Sequence, residues 1–141
     1  MKFVYAITLA CVCALALALP TMADTVNVEV FDNEFAPDPT INSGDTIHWF
    51  WTGSLPHSST SVAGLTETWD SGLHSSGFTF DHIFTQVGAF PYYCTAHGFD
   101  NGNGTAGGMS GVITVIPEPA SLCLFALGSL ALISFRKRLG K

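Results

Sequence analysis

Apolar residues in the middle of this chain recur at every second position. Val26, Val28 and Val30 alternate with Asn27 and Glu29; Ile47, Trp49 and Trp51 with His48 and Phe50; Phe78, Phe80, His82 and Phe84 with Thr79, Asp81 and Ile83. Successive side chains of a β-strand point to opposite faces, so each run lays one face on a core. Shorter runs follow at Phe90 to Cys94 and Val112 to Ile116. Turn signals separate them all: Pro37-Asp38-Pro39, Asn42-Ser43-Gly44-Asp45, Gly53-Ser54-Leu55-Pro56, Asp70-Ser71-Gly72, Gln86-Val87-Gly88 and a Gly/Asn-rich stretch from Gly98 to Gly108. No long helical period competes. The expectation is an all-β domain, a Greek-key β-sandwich of seven to eight short strands whose aromatics are mostly core.

The alternation stops at both ends. Residues 1–23 read as a secretory signal peptide: Lys2 gives a positive start, Phe3 to Leu19 an apolar stretch, and Pro20-Thr21-Met22-Ala23 a small-residue exit, so that the mature chain begins at Asp24. A retained N-terminal membrane helix is the alternative; Pro20 and the small-residue exit weigh against it. At the other end, residues 117–141 carry Pro117-Glu118-Pro119, the apolar run Ala120 to Phe135, and Arg136-Lys137-Arg138. At helical rise the run spans ~24 Å, short of a hydrocarbon core of ~30 Å, and crosses with local thinning or snorkelling of the basic residues. Those residues stay cytoplasmic, which puts everything before Pro117 outside. This tail resembles the PEP-CTERM sorting signal of Gram-negative bacteria. The resemblance implies recognition by an exosortase, transient membrane anchoring by the helix, and removal of the tail; a permanent single-pass anchor is the alternative.

Charge is distributed just as unevenly. All five Lys and Arg lie outside Asp24–Ile116, while ten of the eleven acids lie inside it, so the formal net charge of −6 conceals a strongly acidic domain. Affinity for a phosphate backbone comes from Lys and Arg, so nucleic acid is excluded as a partner.

Of the four cysteines, Cys11 and Cys13 fall in the signal and Cys123 in the tail. That leaves Cys94 alone in the exported domain, where an oxidising compartment penalises an unpaired thiol unless it is buried or bonded. A buried inert thiol is one reading. The other starts from Tyr93-Cys94-Thr95-Ala96-His97, which puts an imidazole three residues from the sulfur at a strand end. Two ligands do not define a metal site. His57, just after the Trp49 to Trp51 strand, and Met109, ahead of the last strand, complete a set of one thiolate, two imidazoles and a thioether. That set selects copper and electron transfer, because soft sulfur stabilises Cu(I) while imidazole suits Cu(II). Zinc would more often recruit further Cys or a carboxylate.

Taken together, Thr46-Ile47-His48-Trp49-Phe50-Trp51-Thr52-Gly53-Ser54-Leu55-Pro56-His57, Trp69-Asp70-Ser71-Gly72, Phe80-Asp81-His82-Ile83-Phe84, Gly88 to His97 and Gly108-Met109-Ser110-Gly111 resemble a plastocyanin-type cupredoxin over residues 24–116. The resemblance implies one copper ion in a type 1 (blue) site, with His57, Cys94 and His97 as equatorial ligands and Met109 as the weak axial one. It also implies that the Ser58 backbone N–H sits near the Cys94 sulfur.

The function expected is that of an exported monomeric one-electron carrier in the periplasm, envelope or extracellular space, not an enzyme. Electrons would pass at the edge of His97, ringed by Leu55, Pro56, Ala96 and Phe99. The acidic surface suits a redox protein with a basic patch, such as a cytochrome c. A copper store, carrier or matrix protein on the same fold is the competing class. A multicopper oxidase would need His-rich motifs that this chain lacks. One departure stands out: His97 and Met109 are twelve positions apart, where plastocyanins have only a few residues, and a glycine-rich loop is expected to close the gap. Asp100 to Thr105 does not have EF-hand spacing. His48 and His82, inside strands, and His74, in a loop, are expected to be surface or half-buried residues rather than ligands.

Overall fold

Residues 22–118 are described by a computed structural model. The expected secretory signal up to Thr21 and the membrane segment of the tail lie outside these residues. Ala23–Ile116 forms one unit, built from eight strands: β1 (Thr25–Phe31), β2 (Glu34–Ala36), β3 (Thr40–Asn42), β4 (Thr46–Trp51), β5 (Thr60–Ser61), β6 (Thr79–Ile83), β7 (Gly88–Asp100) and β8 (Ala106–Ile116). They form two four-stranded sheets, ordered β2-β1-β4-β6 and β3-β8-β7-β5. Among the described residues no helix is long and apolar enough to cross a membrane.

The period-two runs become the inner faces of the sandwich. Val28 and Val30 on β1, Ile47, Trp49 and Trp51 on β4, Phe90, Tyr92 and Cys94 on β7, and Ile113 and Val115 on β8 are all buried. Trp49 ties the sheets together: its ring lies 5.7 Å from Tyr92 of the opposite sheet, 5.7 Å from Trp69, 5.8 Å from Phe80 and 6.4 Å from Phe84. Aromatic pairs at such spacings add to the area each ring removes from water. Burial pushes the Tyr92 phenol well above its ordinary pKa, so it stays neutral. Parallel pairing of β1 with β4 and of β3 with β8 comes from connections longer than hairpins. Buried Asp45 accepts the backbone N–H of both Asp24 and Asn42 at 2.8 Å, fastening the start of the domain to the turn before β4.

Two features depart from the sequence pattern. The strands β2, β3 and β5 are two or three residues long, too short for any alternation to register. The stretch Gly98 to Gly108, expected as a loop, is mostly strand. β7 and β8 continue past the sandwich as a hairpin, pairing Gly98 with Gly108, Phe99 with Gly107 and Asp100 with Ala106. Only the segment between Asp100 and Ala106 turns, and the Asp100 carboxylate holds it there, accepting from Gly102 N–H at 2.7 Å and, across the domain, from Ala63 N–H at 2.9 Å. These donors keep the Asp100 carboxyl below its ordinary pKa.

Candidate metal centre

Cys94 follows Phe90 and Tyr92 on the inward face of β7, and the alternation alone carries its sulfur into the core, where it is fully buried. Regular pairing of β7 with β8 then breaks. Tyr93 pairs with Ser110 and the next pair is Gly98 with Gly108, so Cys94–His97 bulges opposite the single residue Met109. The bulge turns the His97 ring back toward the sulfur, with Nδ1 3.5 Å from Cys94 Sγ. Gly108 permits the crossing: its φ is +70°, and a Cβ there would lie 2.7 Å from the His97 carbonyl oxygen. The paired extension takes up the extra length between His97 and Met109. Met109 is thereby returned to a place opposite the bulge, and its side chain is buried in the same core as Cys94.

His57 arrives from the loop after β4. Its backbone is fully committed: N–H donates to the His74 carbonyl at 2.9 Å, and its carbonyl accepts His74 N–H at 2.9 Å and the buried Trp51 Nε1–H at 2.8 Å. Its fully buried ring places Nδ1 3.6 Å from Cys94 Sγ and 3.1 Å from His97 Nδ1. Among the described residues, His57, Cys94 and His97 form the one group of three His, Cys or acidic side chains close enough to hold a metal ion. A point equidistant from the three donors lies about 2.0 Å from each, which is the length of an imidazole bond to a divalent first-row metal, roughly 2.0–2.1 Å. The donor set and its size therefore fit an ion.

The loops carrying these residues are bolted to each other. Ser58 N–H points at Cys94 Sγ from 3.5 Å, where the resemblance put it. The Ser58 hydroxyl accepts Thr95 N–H at 2.9 Å and bonds the Thr60 and Thr95 hydroxyls at 2.9 and 3.1 Å. Thr60 in turn donates to Asp70 at 2.9 Å. Ser59 Oγ accepts Trp69 Nε1–H at 2.9 Å, and Ser59 N–H donates to Ser71 Oγ at 2.8 Å. The Trp69-Asp70-Ser71 segment is thus a brace for the His57 loop.

The remaining histidines are not brought into the triangle. His48 pairs with Asp81 on the outer face. His74 stacks on Phe78 at 3.5 Å, and its Nε2 meets the Ser71 carbonyl at 2.8 Å. His82 packs tilted against Trp69, ring centroids 5.2 Å apart, and faces Glu67 at 3.6 Å. His74 nevertheless braces the backbone of His57, a role its loop position in the sequence did not announce. Asp32, from the turn between β1 and β2, was also not singled out by the sequence pattern; its Oδ1 lies 3.3 Å from His57 Nε2. Around the centre, His97 is partly exposed, and Leu55, Pro56, Ala96 and Phe99, which flank the two histidines, are exposed as well.

Solved structures with the same architecture include copper proteins. An oxidised amicyanin variant aligns with a TM-score of 0.53 at 20% identity, over 64% of this chain and 81% of amicyanin. A purple cupredoxin from Nitrosopumilus maritimus aligns with a TM-score of 0.50 at 20% identity, over 64% of this chain and 99% of its own. The domain has the cupredoxin fold. A copper-containing nitrite reductase from Thermus scotoductus shares this cupredoxin fold over only 26% of its length, with a TM-score of 0.56 and 22% identity over 75% of this chain. Residues 115–138 match the PEP-CTERM protein-sorting motif. Among curated proteins, none matches the chain in sequence.

Proposed function

We propose that this cupredoxin domain holds one copper ion in a type 1 site and carries single electrons between redox partners. The observation that carries the reading is the donor triangle, two Nδ1 atoms and a buried thiolate 3.1 to 3.6 Å apart, with a backbone N–H aimed at the sulfur. His57, Cys94 and His97 are the equatorial ligands and Met109 the axial one. Copper supplies the Cu(II)/Cu(I) couple; the protein supplies a donor set mixing soft sulfur with imidazole, acceptable to both oxidation states. Braced loops keep the ligands from rearranging between those states. His97 is the ligand that reaches the surface, and its exposed apolar surroundings, with Phe99 57% and Leu55 44% exposed, form the port.

A partner with a basic patch suits a domain devoid of Lys and Arg. The tail implies export, exosortase processing and release to the envelope or beyond. Adding Cu(II) to the purified chain is expected to give an intense thiolate-to-copper visible band and a reversible couple, both abolished by Cys94→Ser. A colourless protein, or a colour unchanged in Cys94→Ser, defeats the reading, and tight colourless binding would favour a copper store. Mass spectrometry of the exported protein is expected to show loss of the segment after Pro119; an intact tail would mean a permanent anchor.

A further inference from the structure

The turn joining β1 to β2 has two residues, Asp32 and Asn33, between the pair Phe31 and Glu34. Asn33 adopts the left-handed conformation, φ 66°, that Asn tolerates better than most residues. The turn packs onto the loop leading to His57, and Gly53 makes the approach possible, since a Cβ there would lie 2.6 Å from Asp32 Oδ1 and 2.9 Å from Asp32 N. Asp32 Oδ1 accepts Leu55 N–H at 2.9 Å and faces His57 Nε2 at 3.3 Å. The His57 ring is fully buried and Asp32 is 41% exposed, so the carboxylate sits between the buried imidazole and water. The Leu55 N–H, ahead of the smaller contribution of His57, keeps the Asp32 carboxyl below its ordinary pKa. No Lys or Arg in the domain competes for it.

His57 Nδ1 points into the donor triangle, so a neutral His57 serving as ligand carries its proton on Nε2, and the acceptor that Nε2 meets is Asp32. We infer that Asp32 is a positioning residue of the centre, fixing the Nε2–H tautomer of His57 and setting the potential. Carboxylate–imidazole pairs behind a metal orient the ring and make it a stronger donor. The added negative charge favours the divalent over the monovalent ion and so lowers the reduction potential. The inference rests on the copper reading above. It adds to that reading a residue 25 positions from His57, reached only through the fold.

The test uses the full chain with Asp32→Asn and Asp32→Ala. Asn keeps an oxygen for Leu55 and His57 but removes the charge; Ala removes both. NMR of the ring nitrogens of the metal-free protein is expected to show one Nε2–H tautomer for His57 in the parent and in Asp32→Asn, and a mixture in Asp32→Ala. Voltammetry of the copper-loaded proteins is expected to show a higher potential in both variants, with the Cu(II) to Cu(I) affinity ratio falling at least ~10-fold, or about 59 mV for a one-electron couple. An unshifted potential in both variants, or a single Nε2–H tautomer surviving in Asp32→Ala, overturns the inference while leaving the blue copper reading intact. A parent protein that never develops the copper band defeats that reading instead, and the tautomer in metal-free Asp32→Ala still decides what Asp32 does.

Discussion

Replacing Ser58 by Ala separates the brace around the site from the site itself. The Ser58 hydroxyl is buried and makes three hydrogen bonds, to Thr95 N–H at 2.9 Å, Thr60 Oγ1 at 2.9 Å and Thr95 Oγ1 at 3.1 Å. Together these link the His57 loop to the Cys94–His97 bulge. A typical hydrogen bond contributes about 1 kcal/mol net, and a buried donor left unpaired costs about 1–3 kcal/mol. Thr95 is exposed, so water recovers part of the loss, and the change is expected to cost about 2 kcal/mol. For a domain of this size that lowers Tm by roughly 10 °C. The backbone N–H of Ser58 still donates to the sulfur at 3.5 Å, so the position of the visible band should not move. Thr60→Val, which removes only the outer hydroxyl, should cost about half as much. Thermal melts of the metal-free proteins followed by circular dichroism, with visible spectra of the copper-loaded ones, measure both quantities. A Ser58→Ala melt within about 2 °C of the parent, or no lower than that of Thr60→Val, would refute the claim that this hydroxyl joins the two ligand loops.

Met109→Leu is expected to retain the visible band, because the triangle is untouched, and to raise the reduction potential, because Cu(II) loses a weak donor; voltammetry of the two proteins decides, and an unchanged potential would remove Met109 from the ligand set. Electron transfer to a basic cytochrome should slow as ionic strength rises through the range where the Debye length shrinks from about 30 to 8 Å, and a stopped-flow rate indifferent to salt would remove the acidic surface from the encounter. Burial works to raise the Glu67 pKa, but the Thr85 hydroxyl and the Thr85 and Gln86 N–H groups, all within 2.7 Å of Oε1, overcome it and hold the carboxyl below its ordinary 4.5. A folded pKa below the unfolded one gives stability that is complete above 4.5 and lost as pH falls through the folded value. The stability gap between the parent and Glu67→Gln should therefore close on acidification in denaturant titrations, and a gap constant from pH 7 to about pH 3 would contradict this.

Much of the site was legible because the signals were local. Alternation put Cys94 on the same face as Phe90 and Tyr92, and it is buried with them. The thiol alone in the domain pointed to His97 three residues on, and the search for further donors to the same ion pointed to His57, which the fold brings within reach of both. Asp32 and His74 gave no such signal: each acts on His57 through a turn or a backbone bridge, and neither has a spacing to His57 that a sequence pattern encodes. The segment from Gly98 to Gly108 misled for a related reason. Glycine and asparagine favour turns, yet three of the glycines here, Gly98, Gly107 and Gly108, serve close cross-strand approach, as where the Phe99 ring lies across Gly107, 2.7 Å from where its Cβ would be.

By itself, then, the amino-acid order determined which residues face inward, which thiol is alone in the domain, where the charge lies and that the C-terminal end carries a sorting motif, since each of these depends on periodicity or composition over a few neighbouring residues. Tertiary structure alone decided how Met109 comes back to Cys94, what stands behind His57 and how the loops are braced. Those depend on strand register and on a bulge of Cys94–His97 against one partner residue, and register is set by the packing of the whole sandwich rather than by any segment of it.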